Sequence, residues 1–336
     1  MLIIRPITSA DYPALMQIAI DTGVGFTSLP TNEGLLRSRI EHSEASFSAQ
    51  IDKPSGEGYL MVMEDTQTGE IVGTSGVEAS VGLDSAFYHY HLGKVVHSSQ
   101  ELNLHNVINT LTLCNDYTGS AEVCTLFLQE KARQGNNGRV LSRFRFLFLA
   151  EFIERFGKTV IAEMRGVSDE DGHSPFFHWL QEHFFNMDFP TADYLSGSGN
   201  KVFIAELMPR YPIYVNLLSQ AAQDVIGLVH PKTAPALKLL QREGFVHRGY
   251  VDIFDGGPTV ECEIEQIKSV KDSQRLSVKI APQASPTTHI ACNTVLKSFR
   301  AMEAMLEVDG EFALITPEQA DALGVKNDDP IRVLAL

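Results

Sequence analysis

The feature of this sequence that most limits its fold is a compact unit at residues 123–152, whose pattern predicts a strand, a turn and a helix in succession. Residues 123–128, VCTLFL, form an apolar run with the length of a buried strand. The polar turn RQGNNG follows at residues 133–138. Apolar side chains then recur every three or four positions, at Leu141, Phe144, Phe148 and Phe152. This spacing predicts a helix with one apolar face, entered directly from the strand and its turn.

The turn has the chemistry of a phosphate site. A glycine-bearing turn that opens a helix presents unpaired backbone N–H groups together with the positive end of the helix dipole. Gly135 and Gly138 allow a ligand to approach the backbone closely, and Arg133, Arg139 and Arg143 add positive charge. The same residues also suit an ordinary connection, and they match neither a P-loop nor a Rossmann fingerprint. From the residues alone, a phosphate site and an ordinary turn both stay open.

Strand and helix patterns alternate along much of the remaining chain. Strands are predicted at residues 2–5, 59–64, 71–81, 159–164, 202–207 and 225–229. Helices are predicted from residues 9–11, after Ser174 and Pro175, around residues 213–222, and from Thr233 to a stop at Gly244. The alternation predicts an α/β fold with a mixed sheet. The units 159–187 and 225–243 compete for one place in that sheet, so we expect one to be an insertion or partial duplication.

The character of the sequence changes near residue 269. Residues 271–288 are polar and contain prolines, which predicts a linker or a surface excursion. The tail that follows predicts short strands around one helix at residues 317–323. We therefore predict a large α/β domain at residues 1–260 and a small β-rich C-terminal module at residues 261–336.

The charge of the chain bears on its partners. Its 27 Lys and Arg residues against 42 Asp and Glu residues give a net charge of −15. Nucleic acid and anionic membranes are bound through clustered Lys and Arg, so neither is an expected partner. A cationic small molecule would be attracted, although the charge also has a simpler interpretation as a device for solubility.

Cysteine and histidine spacings point to a cytoplasmic protein without a metal. Cys114, Cys124, Cys262 and Cys292 show no CxxC spacing, which is typical of reduced thiols. The apolar run at residues 2–4 is too short for a signal peptide, and no segment has the roughly 20 apolar residues of a membrane span. The histidines do not have the spacing of a ligand set, being five apart at His173, His178 and His183 and alternating at His89 and His91.

Two segments resemble the GNAT superfamily of acyl-CoA N-acyltransferases. The turn RQGNNG resembles the superfamily's pyrophosphate turn, R/Q-x-x-G-x-G/A, with Arg133, Asn136 and Gly138 in its first, fourth and sixth positions. Asn136 replaces a glycine, and asparagine is the side chain that best tolerates a left-handed backbone. The segment HPKTAPALKLLQREGF at residues 230–245 resembles the superfamily's helix that ends in Gly-Phe.

Further segments resemble the arginine N-succinyltransferase family. They are TSLP at 27–30, NDYTGSAEVCTLFL at 115–128, AEMRG at 162–166, FIAELMP at 203–209, DVIGLVHPKTAP at 224–235 and DIFDGGP at 252–258. The resemblance implies a GNAT-like fold and transfer of the succinyl group of succinyl-CoA to the α-amine of L-arginine, the first step of arginine degradation. Succinyl-CoA is then a co-substrate, with no permanently bound cofactor, and homo- and hetero-oligomers both stay open.

The resemblance also implies the site residues. Leu126 matches the residue that contacts succinyl-CoA, and His230 matches the catalytic histidine. The predicted pyrophosphate site is the turn, comprising Arg133, Gln134, Gly135, Asn136, Asn137 and Gly138. A histidine suits this reaction because the attacking amine must lose a proton near neutral pH.

Other interpretations of the same residues remain. Without the family, His230 has a structural interpretation, and Cys124 is a rival nucleophile that we expect to be core. The carboxylates proposed for the arginine guanidinium are Glu163, Asp116, Asp252 and Asp255. The alternative functions are a related enzyme that uses another acyl-CoA or an amine such as ornithine, and a non-catalytic CoA-binding subunit.

Overall fold

The computed structural model describes residues 1–23, 28–169, 172–184, 187–197, 202–282 and 287–336. Within these residues the strands are β1 (Leu2–Pro6), β2 (Gly58–Asp65), β3 (Glu70–Glu78), β4 (His89–Ser99), β5 (Leu104–Cys114), β6 (Ala121–Leu128), β7 (Thr159–Glu163), β8 (Ile213–Tyr214), β9 (Val246–Val251), β10 (Pro258–Glu263), β11 (Gln274–Ile280), β12 (Thr288–Asn293), β13 (Ala301–Met305), β14 (Glu307–Asp309), β15 (Phe312–Ile315) and β16 (Pro330–Ala335). The α-helices of the same residues are α1 (Tyr12–Thr22), α2 (Glu33–Ser48), α3 (Asn137–Glu151), α4 (Pro175–His183), α5 (Phe189–Gly197), α6 (Val202–Leu207), α7 (Gln220–Val225), α8 (Ala234–Glu243), α9 (Lys268–Asp272) and α10 (Pro317–Leu323). The predicted α/β class is confirmed.

The strands form one mixed sheet in the order β14-β15-β11-β16-β12-β13-β1-β2-β3-β6-β7-β10-β9-β4-β5-β8. Most neighbours in the described chain are antiparallel, whereas β6 with β7 and β11 with β15 run parallel. The C-terminal strands join the others through β1 and β13, where Ile3 pairs with Met302 and Ile4 with Ala301. They also enclose a core of their own, which includes Val278 and Leu323. The division at residue 260 and the insertion or partial duplication remain predictions.

Helix α3 fixes the position of the turn that precedes it. Phe144 and Phe148 are fully buried. The ring of Phe148 lies 5.3 Å from that of Tyr59 on β2 and 4.9 Å from that of Phe299. The helix packs on both β6 and β13, so its first turn is held against the end of β6 from two directions.

Local signals at helix ends predicted several elements correctly. The Ser174 hydroxyl accepts a hydrogen bond from Phe177 N–H at 3.3 Å, with Pro175 at the first position of α4. Helix α8 ends at Gly244, whose φ of 103° is left-handed, and Phe245 N–H then donates to Leu240 O. The predicted helix in the tail is α10.

Four predictions were wrong. Residues 202–207 form helix α6 and not a strand, because a six-residue apolar run such as VFIAEL does not distinguish a strand from a buried helix. The helix predicted around residues 213–222 is divided into β8, a 3-10 turn at Val215–Leu217 and the start of α7.

The strand predicted at residues 225–229 is also absent from the described structure. Val225 ends α7, and Gly227 has a φ of 75°, which a strand does not accommodate. The predicted linker at residues 271–288 contains β11, whose alternating Leu276, Val278 and Ile280 face the C-terminal core. Residues 283–286 of that linker, and Thr27 of the TSLP segment, lie outside the described residues.

No helix among the described residues has both the length and the apolar composition needed to cross a membrane.

Candidate active site

Among the described residues, the two parallel strands β6 and β7 pair only near their beginnings. They pair at Ala121 with Val160 and at Glu122 with Ile161, near the beginning of each strand. Beyond these pairs β6 continues to Leu128, and the described structure shows no further pairing with β7. Backbone groups on the edge of β6 that faces β7 are therefore available to a ligand. The space beside this unpaired edge, residues 123–128, is called the opening. Leu126 lies in this unpaired half of β6.

A β-bulge interrupts β6 at Thr125 and Leu126. The pairing of β3 with β6 shifts between Thr74 and Gly76, so two residues of β6 lie opposite Ser75. One of them, Thr125, has a φ of 53°, an uncommon conformation for a β-branched residue. The extra residue of a bulge leaves backbone groups unpaired, and this bulge lies in the part of β6 that has no described pairing with β7.

Arg39 of α2 holds the bulge from the side. Its Nη2 donates to Thr125 Oγ1 at 3.2 Å and to Glu78 Oε1 at 3.0 Å, and its Nη1 donates to Ser28 O at 2.6 Å. These contacts link α2, β3 and β6 at one point. No local sequence pattern indicates this role, because Arg39 lies far from Thr125 along the chain.

The turn at residues 133–138 presents free N–H groups to solvent. In the described part of the chain, the backbone N–H groups of Gly135, Asn136, Gly138 and Arg139 have no hydrogen-bond acceptor, and no side chain caps α3. They surround the N-terminus of α3, where the helix dipole is positive. The arrangement suits a phosphate or pyrophosphate.

The left-handed residue of the turn is Gly135. Its φ is 54°, whereas Asn136 has a φ of −98° and immediately precedes α3. The substitution of asparagine for glycine at position 136 therefore requires no left-handed backbone. It adds a contact instead, since Asn136 Nδ2 donates to Glu303 Oε1 of β13 at 2.9 Å.

Side chains fasten the turn to the end of β6. Arg133 Nε donates to Leu128 O at 2.9 Å, and Asn137 Nδ2 donates to Ala132 O at 2.9 Å. Gln134 is exposed. An open cleft of about 840 Å³ lies beside the turn, with Phe127 and Arg133 among its lining residues.

His230 lies at the carboxyl end of β7. Its backbone N–H donates to Arg165 O at 2.8 Å, two residues beyond the end of the strand, and the residue is 8% exposed. The sequence placed His230 at the end of a strand of its own, which the structure corrects. His230 lies instead at the end of β7, and β7 borders the opening.

The His230 ring is held in its neutral form. Burial lowers the pKa of His230 below its ordinary value of 6.5, and the charges of Arg165 and Lys232 lower it further, against a smaller opposing effect from the Ser168 backbone. Lys232 N–H donates to Nδ1 at 3.1 Å, so the proton of the neutral ring is on Nε2. At neutral pH the ring thus has a basic nitrogen and a donor nitrogen.

The AEMRG and DGGP segments pack against each other beside His230. Gly166 N–H donates to Asp255 Oδ2 at 2.6 Å, and Gly227 N–H donates to Gly256 O at 2.8 Å. A methyl group at Gly257 would lie 2.1 Å from Met164 O, closer than atoms can approach. Glycine is therefore required where the turn meets the end of β7.

We expect Gly257→Ala to destabilise the fold by about 1–3 kcal/mol, since the added methyl must displace backbone. Thermal unfolding followed by circular dichroism measures the effect. Gly34→Ala in α2 is the matched control, because its nearest neighbour would be 3.5 Å away and alanine favours a helix. Equal melting temperatures for Gly257→Ala and the wild type would contradict the requirement for glycine.

Cys124 does not have the environment of a nucleophile. Burial raises the pKa of its thiol, and the charges of Glu122 and Glu78 raise it further, so the thiol stays protonated at neutral pH. Among the described residues there is no group of three or more His, Cys, Asp and Glu side chains that could hold a metal ion.

Comparison with known proteins identifies the family. The model of the arginine N-succinyltransferase beta subunit matches residues 2–269, and the model of that subunit's C-terminal domain matches residues 274–335. The chain belongs to the arginine N-succinyltransferase family. The resemblance to this family inferred from the sequence motifs is thereby confirmed, and the mixed sheet with a strand-rich C-terminal region agrees with the solved relative described next.

Individual members of the arginine N-succinyltransferase family match over the whole chain. The arginine N-succinyltransferases of Citrobacter koseri and Escherichia coli are each 47% identical over 339 residues, covering 100% of this chain and 98% of the relative. The solved structure of arginine/ornithine succinyltransferase subunit AI from Pseudomonas aeruginosa is 38% identical, with a TM-score of 0.91 over 100% of this chain and 98% of that one. These matches extend over the segments that contain the opening and the turn.

Proposed function

We propose that this chain transfers the succinyl group of succinyl-CoA to the α-amine of L-arginine, giving N2-succinyl-L-arginine and CoA. The observation that carries the proposal is the opening between β6 and β7, with a turn of free N–H groups beyond β6 and His230 at the end of β7. Membership of the arginine N-succinyltransferase family supports this choice of donor and acceptor. The four free cysteines support a cytoplasmic location.

Succinyl-CoA is proposed to bind along β6. Its pyrophosphate accepts hydrogen bonds from the four free N–H groups of the turn, those of Gly135, Asn136, Gly138 and Arg139. Its pantetheine arm lies in the opening beside Leu126, where the unpaired edge of β6 complements the amide groups of the arm. The thioester carbonyl then lies near the bulge at Thr125.

The residues around the opening can carry the acyl transfer without a covalent enzyme intermediate. The neutral amine forms a bond to the thioester carbon while its proton passes to Nδ1 of His230. Nδ1 accepts the proton after its hydrogen bond from Lys232 N–H has broken. Unpaired N–H groups at the bulge stabilise the tetrahedral oxyanion. Collapse of the intermediate breaks the carbon–sulfur bond, and Nε2–H supplies the proton for the leaving thiolate.

A second acceptor, ornithine, deserves the same test. The solved relative from Pseudomonas aeruginosa is named for both arginine and ornithine. The turn would bind any acyl-CoA, because the pyrophosphate is common to all of them. That relative is also named a subunit, which supports assembly of this chain with further chains.

A substrate panel tests the proposal. Succinyl-CoA and acetyl-CoA are crossed with arginine, ornithine and lysine, and CoA release is measured with a thiol reagent. We expect the highest kcat/KM for succinyl-CoA with arginine, by about 10-fold or more over the acetyl-CoA pair. Preferential use of acetyl-CoA would reassign the donor. Tight CoA binding without transfer to any amine would favour a non-catalytic subunit.

A further inference from the structure

Three carboxyl groups influence one another electrostatically near the end of β7. Glu163 is the last residue of β7, and its side chain is 29% exposed. Asp252 and Asp255 belong to the turn between β9 and β10, which is joined to Gly166 by a 2.6 Å hydrogen bond. Burial raises the pKa of Asp252, and the negative charges of Asp255 and Glu163 raise it further. The negative charges of Glu163 and Asp255 that act on Asp252 also favour a cation at this end of the strand.

Two buried polar side chains beside Glu163 independently indicate a ligand. His89 is fully buried, and its Nε2 lies 2.9 Å from Glu163 Oε1, yet neither ring nitrogen has hydrogen-bond geometry to any described residue. Thr259 Oγ1 is also fully buried without a described partner. Thr259 pairs directly with Glu163 across the ladder of β7 and β10, so both side chains lie on one face of the sheet. Buried polar groups in native proteins are nearly always hydrogen-bonded, so two exceptions beside one carboxylate are informative.

Aromatic rings border the same place. The His89 ring lies 4.9 Å from that of Phe87, 5.0 Å from that of Tyr117 and 6.5 Å from that of Tyr250. Tyr250 is half-buried, so part of this aromatic wall is accessible. A planar, delocalised cation with several N–H donors matches an acceptor-rich site with an aromatic border better than a compact ammonium does.

We propose that Glu163, assisted by Thr259, binds the guanidinium of the acceptor arginine. The inference rests on the proposed function and assigns the part of the site that selects the acceptor. Glu163 precedes Arg165 by two residues, and Arg165 O accepts the N–H of His230. A guanidinium bound to Glu163 therefore holds the acceptor beside the proposed base.

The test compares arginine with citrulline, which has nearly the same shape but an uncharged urea in place of the guanidinium. The wild type and Glu163→Gln are assayed with succinyl-CoA. We expect Glu163→Gln to raise the KM for arginine about 10- to 100-fold while kcat changes little, because a charge-assisted hydrogen bond is lost. The preference for arginine over citrulline, measured as a ratio of kcat/KM, falls by the same factor. The Kd for succinyl-CoA stays unchanged in calorimetry.

Two further variants separate a binding role from a structural one. Glu263→Gln is the matched control on β10, because Glu263 is exposed and accepts a hydrogen bond from the Thr159 hydroxyl. We expect it to keep the wild-type ratio of kcat/KM for arginine over citrulline. Thr259→Val keeps the shape of the side chain, removes one acceptor, and lowers the ratio several-fold even if Glu163→Gln fails to fold. The inference is overturned if folded Glu163→Gln and Thr259→Val keep the wild-type ratio of kcat/KM for arginine over citrulline. It is also overturned if these variants lower kcat without raising the KM for arginine. A wild type that does not succinylate arginine overturns the proposed function instead.

Discussion

Replacing His230 with alanine is expected to lower kcat about 10²- to 10⁴-fold, the usual contribution of a positioned proton-transfer group. Succinyl-CoA should bind with unchanged affinity, because the turn at residues 133–138 is built from other segments. Stopped-flow or steady-state CoA release measures the rate, and calorimetry measures the binding.

His230→Asn distinguishes catalysis from a structural role. Asparagine can still accept the hydrogen bond that Lys232 N–H donates to Nδ1, but it takes up no proton near neutral pH. We expect His230→Asn to be as inactive as His230→Ala, while His105→Ala, on the exposed part of β5, retains full activity. Recovery of turnover in His230→Asn would assign His230 a structural role. The base would then be a carboxylate such as Glu163.

The pH profile gives a second measure of the same group. Because burial and the charges of Arg165 and Lys232 lower the pKa of His230, its neutral, basic form is already present at pH 6.5. Activity should therefore rise with pH through an apparent pKa below 6.5. That limb should disappear in His230→Ala, and its persistence would contradict the assignment.

Gly138→Asp is expected to weaken the binding of CoA about 100-fold. A carboxylate in the first turn of α3 would lie next to the pyrophosphate, and like charges a few ångströms apart at a protein surface repel by a few kcal/mol. The fold should be unaffected, since an acidic residue at a helix N-terminus is favourable. Calorimetric titration with CoA measures the loss.

Gly138→Ala is the matched control for this variant. A methyl group there would meet nothing nearer than Leu128 Cδ2 at 4.0 Å, so alanine adds bulk without a clash or a charge. We expect it to bind CoA within a few-fold of the wild type. Equal affinities of Gly138→Asp and Gly138→Ala for CoA would contradict the binding of the pyrophosphate at this turn.

The sequence by itself determined the parts whose physics is local. The strand, turn and helix at residues 121–151 follow from apolar periodicity and glycine placement, and α4 and α8 from their caps at Ser174 and Gly244. Short apolar segments without such signals were assigned wrongly. Residues 202–207 and 225–229 are examples, because their conformation depends on what packs against them.

Only the tertiary structure decided how the site is assembled. The limited pairing of β6 with β7 brings together segments that are distant in the sequence. The contacts of Arg39 with Thr125 and of His89 with Glu163 do the same. His230 shows most directly the difference between what the sequence predicts and what the fold decides. The sequence showed its neighbour Pro231 and predicted the helix that follows. Its position at the end of β7 depends on a hydrogen bond to Arg165, 65 residues earlier in the chain. Such long-range contacts leave no periodic trace, because the free energy that forms them comes from burial in the completed fold.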